Sequence, residues 1–382
     1  MAVTDPDDAR GLGARLSALA AWPVAMLFRL LETPLMAVQK LVGIKAMPYV
    51  FLLPNLAFFG FFVVIPLFIN FAFSLTGGTH RLDRILVREA GPFGVTVSGA
   101  FLEARDVVVR DTRAVRGFFG GGAFLSEAQC TLERIVIDGA RIEGIGVNDG
   151  RLTLRDALIR DLRGAEAGSA LPEGAWGRGL VLNGAESDVE RVLIEDAGEA
   201  GLLVRRFAND GRADVRDVVI RDVAGERSSG LRGRGVSVQG STELVLTRAR
   251  IERVHEAGIA VTDAAGFVGR DILITGVSEP PCVARDECRE EPPPGVGVGT
   301  YDEASMELTR FAVRAAGTCG SQLAGMPSVD LSDGSIADAA VGVCLQTPGF
   351  AVERLRGNVV YDVEVAVEMT AFPVPSPILD AF

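Results

Sequence analysis

The residues best suited to binding chemistry lie in three insertions that interrupt a repeated strand pattern, at residues 163–178, 224–234 and 278–296. Their candidate binding residues are Trp176, Arg227, Arg232, Arg234, Asp286 and Glu290. An exposed aromatic ring beside charged side chains is what a sugar-binding surface requires. The three insertions fall between the same two strands of their repeats. We therefore expect them to form one edge of the molecule.

Residues typical of a catalytic or metal site are scarce. The chain has two histidines, His80 and His255, and His255 beside Glu256 has the context of a turn. The segments 148–150 and 209–211 are both Asn-Asp-Gly, a turn sequence. Their Asp carboxylates could serve Ca²⁺, but nothing else in the sequence supports such a site. We assign no catalytic residue, no metal site and no cofactor.

Five cysteines are too few for a disulfide scaffold. Cys282 and Cys288 lie in one insertion, and a bond between them would close that loop in an oxidising compartment. Cys319 and Cys344 lie in neighbouring repeats, but their positions relative to the local glycine differ by three residues, so we expect no bond between them. Cys130 has no evident partner.

The elements that must position these residues are short strand patterns of alternating apolar and polar side chains. Their last apolar positions align as Val109, Ile137, Ile159, Ile194, Ile220, Ile251, Ile274, Val313 and Ile336. The shortest separations are 22 and 23 residues, and the longer ones equal that unit plus an inserted loop. Such a period is the signature of a repeat architecture.

A second, Gly-led strand completes each repeat. Its glycines are Gly144, Gly179, Gly201, Gly235, Gly258 and Gly342, and we expect each to turn the chain with a positive φ. The Leu-rich phrase of leucine-rich repeats is absent, and Ile and Val dominate. The sequence predicts a right-handed parallel β-helix of about ten coils over residues 95–370, with a linker or cap at 80–94 and a tail at 371–382.

This segment resembles the pectate-lyase-like β-helix superfamily. The resemblance implies the fold, and in catalytic members it implies clustered carboxylates, or Asp-bound Ca²⁺ with an Arg base. Charged pairs recur at one position of each repeat: Arg105-Asp106, Glu133-Arg134, Arg155-Asp156, Glu190-Arg191, Arg216-Asp217 and Arg270-Asp271. We interpret them as a polar corner with stacked opposite charges.

The N-terminal part differs in composition. Residues 46–79 contain no charged side chain, which predicts a membrane-spanning helix, and residues 1–45 form an amphipathic region suited to the membrane interface. The phrases Met47-Pro-Tyr-Val-Phe-Leu-Leu-Pro54 and Phe73-Ser-Leu-Thr76 resemble the first transmembrane helix of sugar-type ABC importer permeases. That resemblance places the β-helix in the periplasm or outside the cell, held at a bacterial inner membrane.

A net charge of −12 argues against nucleic acid as a partner, because that needs a basic face. Three interpretations follow for function. The first is a membrane-anchored, exported β-helix that binds polysaccharide or a cell-surface partner without catalysis. The second is a polysaccharide lyase or glycoside hydrolase. The third is a truncated permease fragment fused to an unrelated β-helix, without transport activity.

Overall fold

The computed structural model describes residues 52, 78–114, 120–167, 171–206, 209–281 and 295–378. The chain divides into two compact units, Met1–Thr76 and Gly77–Phe382. The amphipathic region and nearly all of the predicted membrane segment lie outside the described residues, so the permease-like assignment stays a prediction. Among the residues that are described, no helix is long and apolar enough to cross a membrane.

Two sets of strands alternate along the second unit. The long strands are β1 (Thr79–Arg88), β3 (Phe101–Arg110), β5 (Gln129–Asp138), β7 (Arg151–Arg160), β9 (Glu186–Ala197), β11 (Arg212–Val223), β13 (Glu243–His255), β15 (Gly266–Ser278), β17 (Ser305–Ala316), β19 (Ser328–Ala337) and β21 (Val359–Asp362). The short strands are β2 (Phe93–Ser98), β4 (Gly121–Ser126), β6 (Glu143–Asn148), β8 (Arg178–Asn183), β10 (Ala200–Arg205), β12 (Arg234–Gln239), β14 (Ala257–Thr262), β16 (Val296–Thr300), β18 (Cys319–Ala324), β20 (Val341–Gln346) and β22 (Val365–Met369). A helix, α1 (Glu353–Asn358), precedes β21 and buries Leu355 in the core.

Each long strand followed by a short one makes a coil, and we number the coils 1 to 11. The odd-numbered strands form one eleven-stranded sheet, the even-numbered strands form another, and strands two apart in sequence are neighbours. Pairing is parallel throughout both sheets. The second unit is therefore a parallel β-helix, as the sequence predicted. Within the predicted linker or cap at 80–94, β1 pairs with β3 and adds a strand to the long-strand sheet.

The predicted apolar alignment is the observed register. Each of its nine residues lies opposite the next in the long-strand sheet. All nine are buried, and the column continues to Val87 at one end and Tyr361 at the other. Burying an aliphatic side chain of this size contributes about 1.5–3 kcal/mol. This column, stacked inside the coils, is the centre of the hydrophobic core.

The expected positive φ at the strand-leading glycines is wrong. None of the six has one. A Cβ added to Gly258 would lie 2.6 Å from Cγ2 of Ile274 and 2.6 Å from the carbonyl oxygen of Gly297. These positions are glycine because the core column and the backbone of the next coil leave no room for a side chain.

Charged residues adopt the left-handed backbone conformation instead. The second residue of each predicted charged pair has a positive φ: Asp106, Arg134, Asp156, Arg191, Asp217 and Asp271, at 54° to 58°. Asp tolerates this conformation better than most side chains. The interpretation of the pairs as a corner of the coils is thus correct, and the corner lies at the same register position of the six long strands that carry them.

The expectation about the cysteines is also corrected. Cys319 and Cys344 form a disulfide, with Cα atoms 5.9 Å apart and Sγ atoms 1.98 Å apart. A straight strand with their offset would separate them by about 11 Å, so the short strands bend sharply near Gly320 and Gly342. Cys130 is free and buried, while Cys282 and Cys288 lie outside the described residues.

Candidate functional site

Polar side chains concentrate on the outer face of the short-strand sheet. The middle column of this face is Gly146, Val181, Leu203, Ser237, Ala260 and Gly299, in register on successive coils. A charged column flanks it at the start of the strands, with Glu143 opposite Arg178. A second polar column flanks it at the strand ends, with Asn148, Asn183, Arg205 and Gln239 in register. We call this face the outer groove.

A buried charge network surrounds Arg178 of the charged column. Arg178 and Glu199 are both fully buried, and the Nε of Arg178 donates to the Glu199 carboxylate. Arg232 donates to Glu199 and, over 3.0 Å, to Glu226. The Arg178 guanidinium lies 4.2 Å from the centre of the Trp176 ring, a cation–π geometry. Charges this deeply buried are tolerated only when paired.

Burial raises the pKa of the Glu226 carboxyl, and the neighbouring Glu199 carboxylate adds to the rise. Glu226 also accepts a hydrogen bond from the backbone N–H of Trp176 at 3.1 Å and from the Ser229 hydroxyl at 3.1 Å. Its environment therefore favours the protonated form relative to an ordinary glutamate.

A second buried pair lies two coils further on. The guanidinium of Arg234 donates to Oε1 of Glu256 from Nε at 2.9 Å and from Nη2 at 2.6 Å. Their side chains are 1% and 3% exposed. Beyond this pair the face holds Tyr301, whose hydroxyl donates to Oε1 of Gln322 at 3.0 Å. Burial raises the pKa of Tyr301, so it acts as a hydrogen-bond donor.

Amide side chains dominate the second polar column. Asn183 donates to Oδ1 of Asn148 at 2.6 Å, and Arg205 donates to Oδ1 of Asn183 at 2.6 Å. Amides both donate and accept hydrogen bonds. The column therefore offers both functions on consecutive coils, about 4.8 Å apart.

The segment 370–378 lies along the outer groove and runs back from coil 11 towards coil 4. The side-chain amides of Gln346 and Gln322 donate to the carbonyl oxygens of Phe372 and Pro373 at 2.7 and 3.2 Å. Arg234 donates to the Ser376 carbonyl at 2.6 Å. Gln239 makes a two-way contact with Ile378, donating to its carbonyl at 2.5 Å and accepting from its N–H at 2.9 Å.

The structure brings two of the candidate residues predicted from sequence together, because Trp176 and Arg232 both donate to Glu226. Trp176 is 4% exposed, which corrects the expectation of an exposed sugar-stacking ring; it packs against Ile142, Ala165 and Ala175. Arg232 and Arg234 belong to the charge pairs just described. Arg227 lines a separate cavity of about 390 Å³ with Asp196, Asp222, Arg253 and His255. Asp286 and Glu290 lie outside the described residues.

The first two insertions contact each other. The N–H of Arg227 donates to the carbonyl of Gly174 at 3.1 Å, in addition to the bond between Trp176 and Glu226. The third insertion is described only at its two ends. At its start, the carbonyl of Glu279 lies 3.1 Å from Nδ1 of His255.

Sequence reasoning missed Glu199, Glu256, Tyr301 and the glutamines of the groove. A signal was present, because Asn148, Asn183, Arg205 and Gln239 occupy one register position of the short strands. Among the described residues, no group of three or more potential metal ligands comes together.

Comparison with known proteins assigns no family to the chain. No family model matches the chain, and no curated protein matches it. A solved structure, the A-module of the Azotobacter vinelandii mannuronan C-5 epimerase AlgE4, aligns at 12% identity and a TM-score of 0.36, over 77% of this chain and 89% of that one. The assignment of a parallel β-helix therefore rests on the strand order and register given above.

Proposed function

We propose that the protein is a non-catalytic binding protein whose outer groove holds an extended polysaccharide chain. The observation that carries the proposal is the occupied groove itself. Side chains from coils 6, 9 and 10 hydrogen-bond the extended segment 370–378 through its backbone. A surface that holds one extended chain in this way is suited to another polymer lying across the coils.

The chemistry of the groove favours a polyhydroxylated ligand. Sugar hydroxyls donate and accept hydrogen bonds, so they need both partners within each sugar unit. Asn183 and Gln239 supply both from their amides, while Arg205 between them supplies charged donors.

The experiment is a polysaccharide array probed with the purified full-length chain in detergent. We expect binding to linear polysaccharides, and we expect Asn183→Ala to weaken it about tenfold, the equivalent of one hydrogen bond of about 1.4 kcal/mol. Arg212→Met is the matched control, because Arg212 lies on the long-strand sheet and its side chain is 60% exposed. Absence of binding by the full-length chain and by a chain ending at Met369 would refute the proposal.

A second candidate, a polysaccharide lyase or glycoside hydrolase, is favoured by one observation. Glu226 has a raised pKa and shares Arg232 with Glu199, a combination suited to an acid beside an ionised carboxylate. Against it, Glu226 is 8% exposed and Glu199 is fully buried. Release of unsaturated uronides or new reducing ends, abolished in Glu226→Gln, would establish the enzyme. Absence of release from the polysaccharides that bind would exclude it for those ligands.

We further propose that residues 46–79 anchor the chain in the inner membrane with the β-helix on the periplasmic or outer side. The uncharged run and the permease-like phrases support the anchor. The disulfide between Cys319 and Cys344 supports an oxidising compartment. Protease treatment of spheroplasts should degrade the β-helix if it is exported; protection until the membrane is lysed would contradict this placement.

A further inference from the structure

We infer that residues 370–378 are a displaceable strap that occupies the outer groove and competes with its ligand. The inference rests on the proposed function of the groove and adds a means of regulating it. It concerns the described part of the C-terminal tail, which begins where β22 ends at Met369.

The strap uses the contacts that a ligand would use. Three carbonyl oxygens, of Phe372, Pro373 and Ser376, accept hydrogen bonds from groove side chains. Ile378 is held at both its N–H and its carbonyl by Gln239. Its side chain fills the middle of the groove against Val181, Ala200 and Leu203. The groove is therefore filled by part of the chain, and an incoming polymer must replace these contacts.

Apart from one bond, from the N–H of Thr370 to the carbonyl of Leu345 at 3.0 Å, the strap is separate from the ladders that hold the β-helix together. None of residues 370–378 belongs to a strand. Pro373, Pro375 and Pro377 alternate along it, and proline cannot donate to a strand ladder. Proline also keeps the segment extended without internal hydrogen bonds. Displacing the strap therefore opens the groove without unpairing any strand of either sheet.

The strap is anchored at three points. Phe372 packs on the cluster of Val296, Cys319, Val341 and Cys344, and Pro375 and Ile378 are buried. Val374, between the first two points, is 42% exposed. Separate anchors permit release from one end. The apparent Kd of a ligand that binds only the open form equals its intrinsic Kd divided by the open fraction.

The test uses four versions of the chain: the natural sequence, Ile378→Asp, Val374→Ala, and a chain that ends at Met369. The probe is a fluorescent synthetic peptide with the sequence of residues 370–382. We expect the peptide to bind the shortened chain and to bind the natural chain at least about tenfold more weakly, because the natural groove is already filled. Ile378→Asp should bind it with intermediate affinity. Val374→Ala is the control and should behave as the natural chain does.

Polysaccharide binding is measured on the same proteins. If the strap competes, the shortened chain binds the array ligand at least about tenfold more tightly than the natural chain, and added peptide displaces that ligand. Peptide binding without any polysaccharide binding would support the displaceable strap and refute the polysaccharide function. Equal polysaccharide binding by all versions, with no peptide binding to the shortened chain, would refute the strap alone.

Folding is checked by circular dichroism and by urea unfolding of each version. Ile378→Asp and the shortened chain are both expected to fold, because the inner core does not include the strap. If both fail to fold, the segment is an integral part of the β-helix and the inference is overturned. Hydrogen exchange gives a further criterion: in the natural chain the amides of Ala371, Phe372 and Ile378 should exchange much faster than those of β20.

Discussion

Arg191 and Asp156 form a two-bonded ion pair between neighbouring coils, with Nε and Nη2 of the arginine 2.6 and 3.0 Å from the two carboxylate oxygens. Both residues have φ of 56°. The same corner carries Asp and Arg alternately: Asp106, Arg134, Asp156, Arg191, Asp217, Arg248, Asp271, Arg310 and Asp333. The β-helix thus has a chemical repeat of two coils, although its backbone repeats with every coil.

The corner ladder predicts sensitivity to acid. Hydrogen bonds from the facing arginines hold the pKa of Asp106, Asp156, Asp217 and Asp271 below the usual 3.8. A folded-state pKa below the unfolded value contributes stability above the unfolded pKa, and that contribution is lost as the pH falls through the folded pKa. The free energy of unfolding should therefore fall below about pH 4.

Urea unfolding between about pH 2 and pH 6 measures this dependence. A variant with all four aspartates changed to Asn keeps a residue type that tolerates positive φ but lacks the titrating groups. Its curve should be flatter than that of the natural chain. Equal slopes would show that other carboxylates dominate acid unfolding.

The strand-leading glycines predict a steric effect that their φ values would not suggest. Gly258→Ala should cost about 1–3 kcal/mol, because the added methyl group meets both Ile274 and the backbone of Gly297. Gly266→Ala is the matched control, since the nearest atom to an added Cβ is Cγ of Glu243 at 3.5 Å. Urea midpoints of the two variants make the comparison. A similar loss in both would contradict a steric origin of the cost at Gly258.

The buried groove pair predicts a larger cost than any surface pair. Arg234→Met leaves the Glu256 carboxylate buried without its cation, so we expect a loss of about 3–5 kcal/mol. Adding Glu256→Gln to the same chain should recover part of that loss by removing the isolated charge. Arg212→Met, which breaks an exposed pair with Glu243, should cost about 0–1 kcal/mol. Losses of equal size for Arg234 and Arg212 would contradict the assignment of Arg234 to a desolvated pair.

The sequence predicted much of the fold because each coil of a stacked core needs the same kind of side chain at the same position. Ile194, Ile220 and Ile251 recur where each coil needs the same β-branched side chain, so their spacing is the register. Contacts without a repeat left no such signal. Arg234 meets Ser376 across 142 positions, and no periodicity connects them. The positions of the strand-leading glycines are visible in the sequence. The reason for them is not, because the space around a residue depends on the neighbouring coil.

The disulfide between Cys319 and Cys344 is another contact that the repeat pattern did not indicate. It should contribute measurably to the free energy of unfolding. Changing both Cys319 and Cys344 to Ser should lower the free energy of unfolding by about 2–4 kcal/mol, since the bond constrains a separation of 25 residues in the unfolded chain. Peptide mapping without reductant should recover a linked pair containing these two cysteines. Changing Cys282 and Cys288 to Ser is the companion variant, and it tests the bond predicted from the sequence in the same assay. Recovery of Cys319 or Cys344 linked to another cysteine would refute the pairing.

The first coil predicts where the β-helix can be cut. A fragment of residues 77–382 keeps β1, whereas one of residues 90–382 removes it and uncovers the edge of β3 along nine register positions. Leu102, Val107 and Val109 are all nearly fully buried, and their partial exposure should cost several times the about 1 kcal/mol of a typical point substitution. We expect the longer fragment to unfold cooperatively with urea and the shorter one to be less stable or to aggregate through its open edge. Equal urea midpoints would mean that residues 79–88 are a dispensable linker.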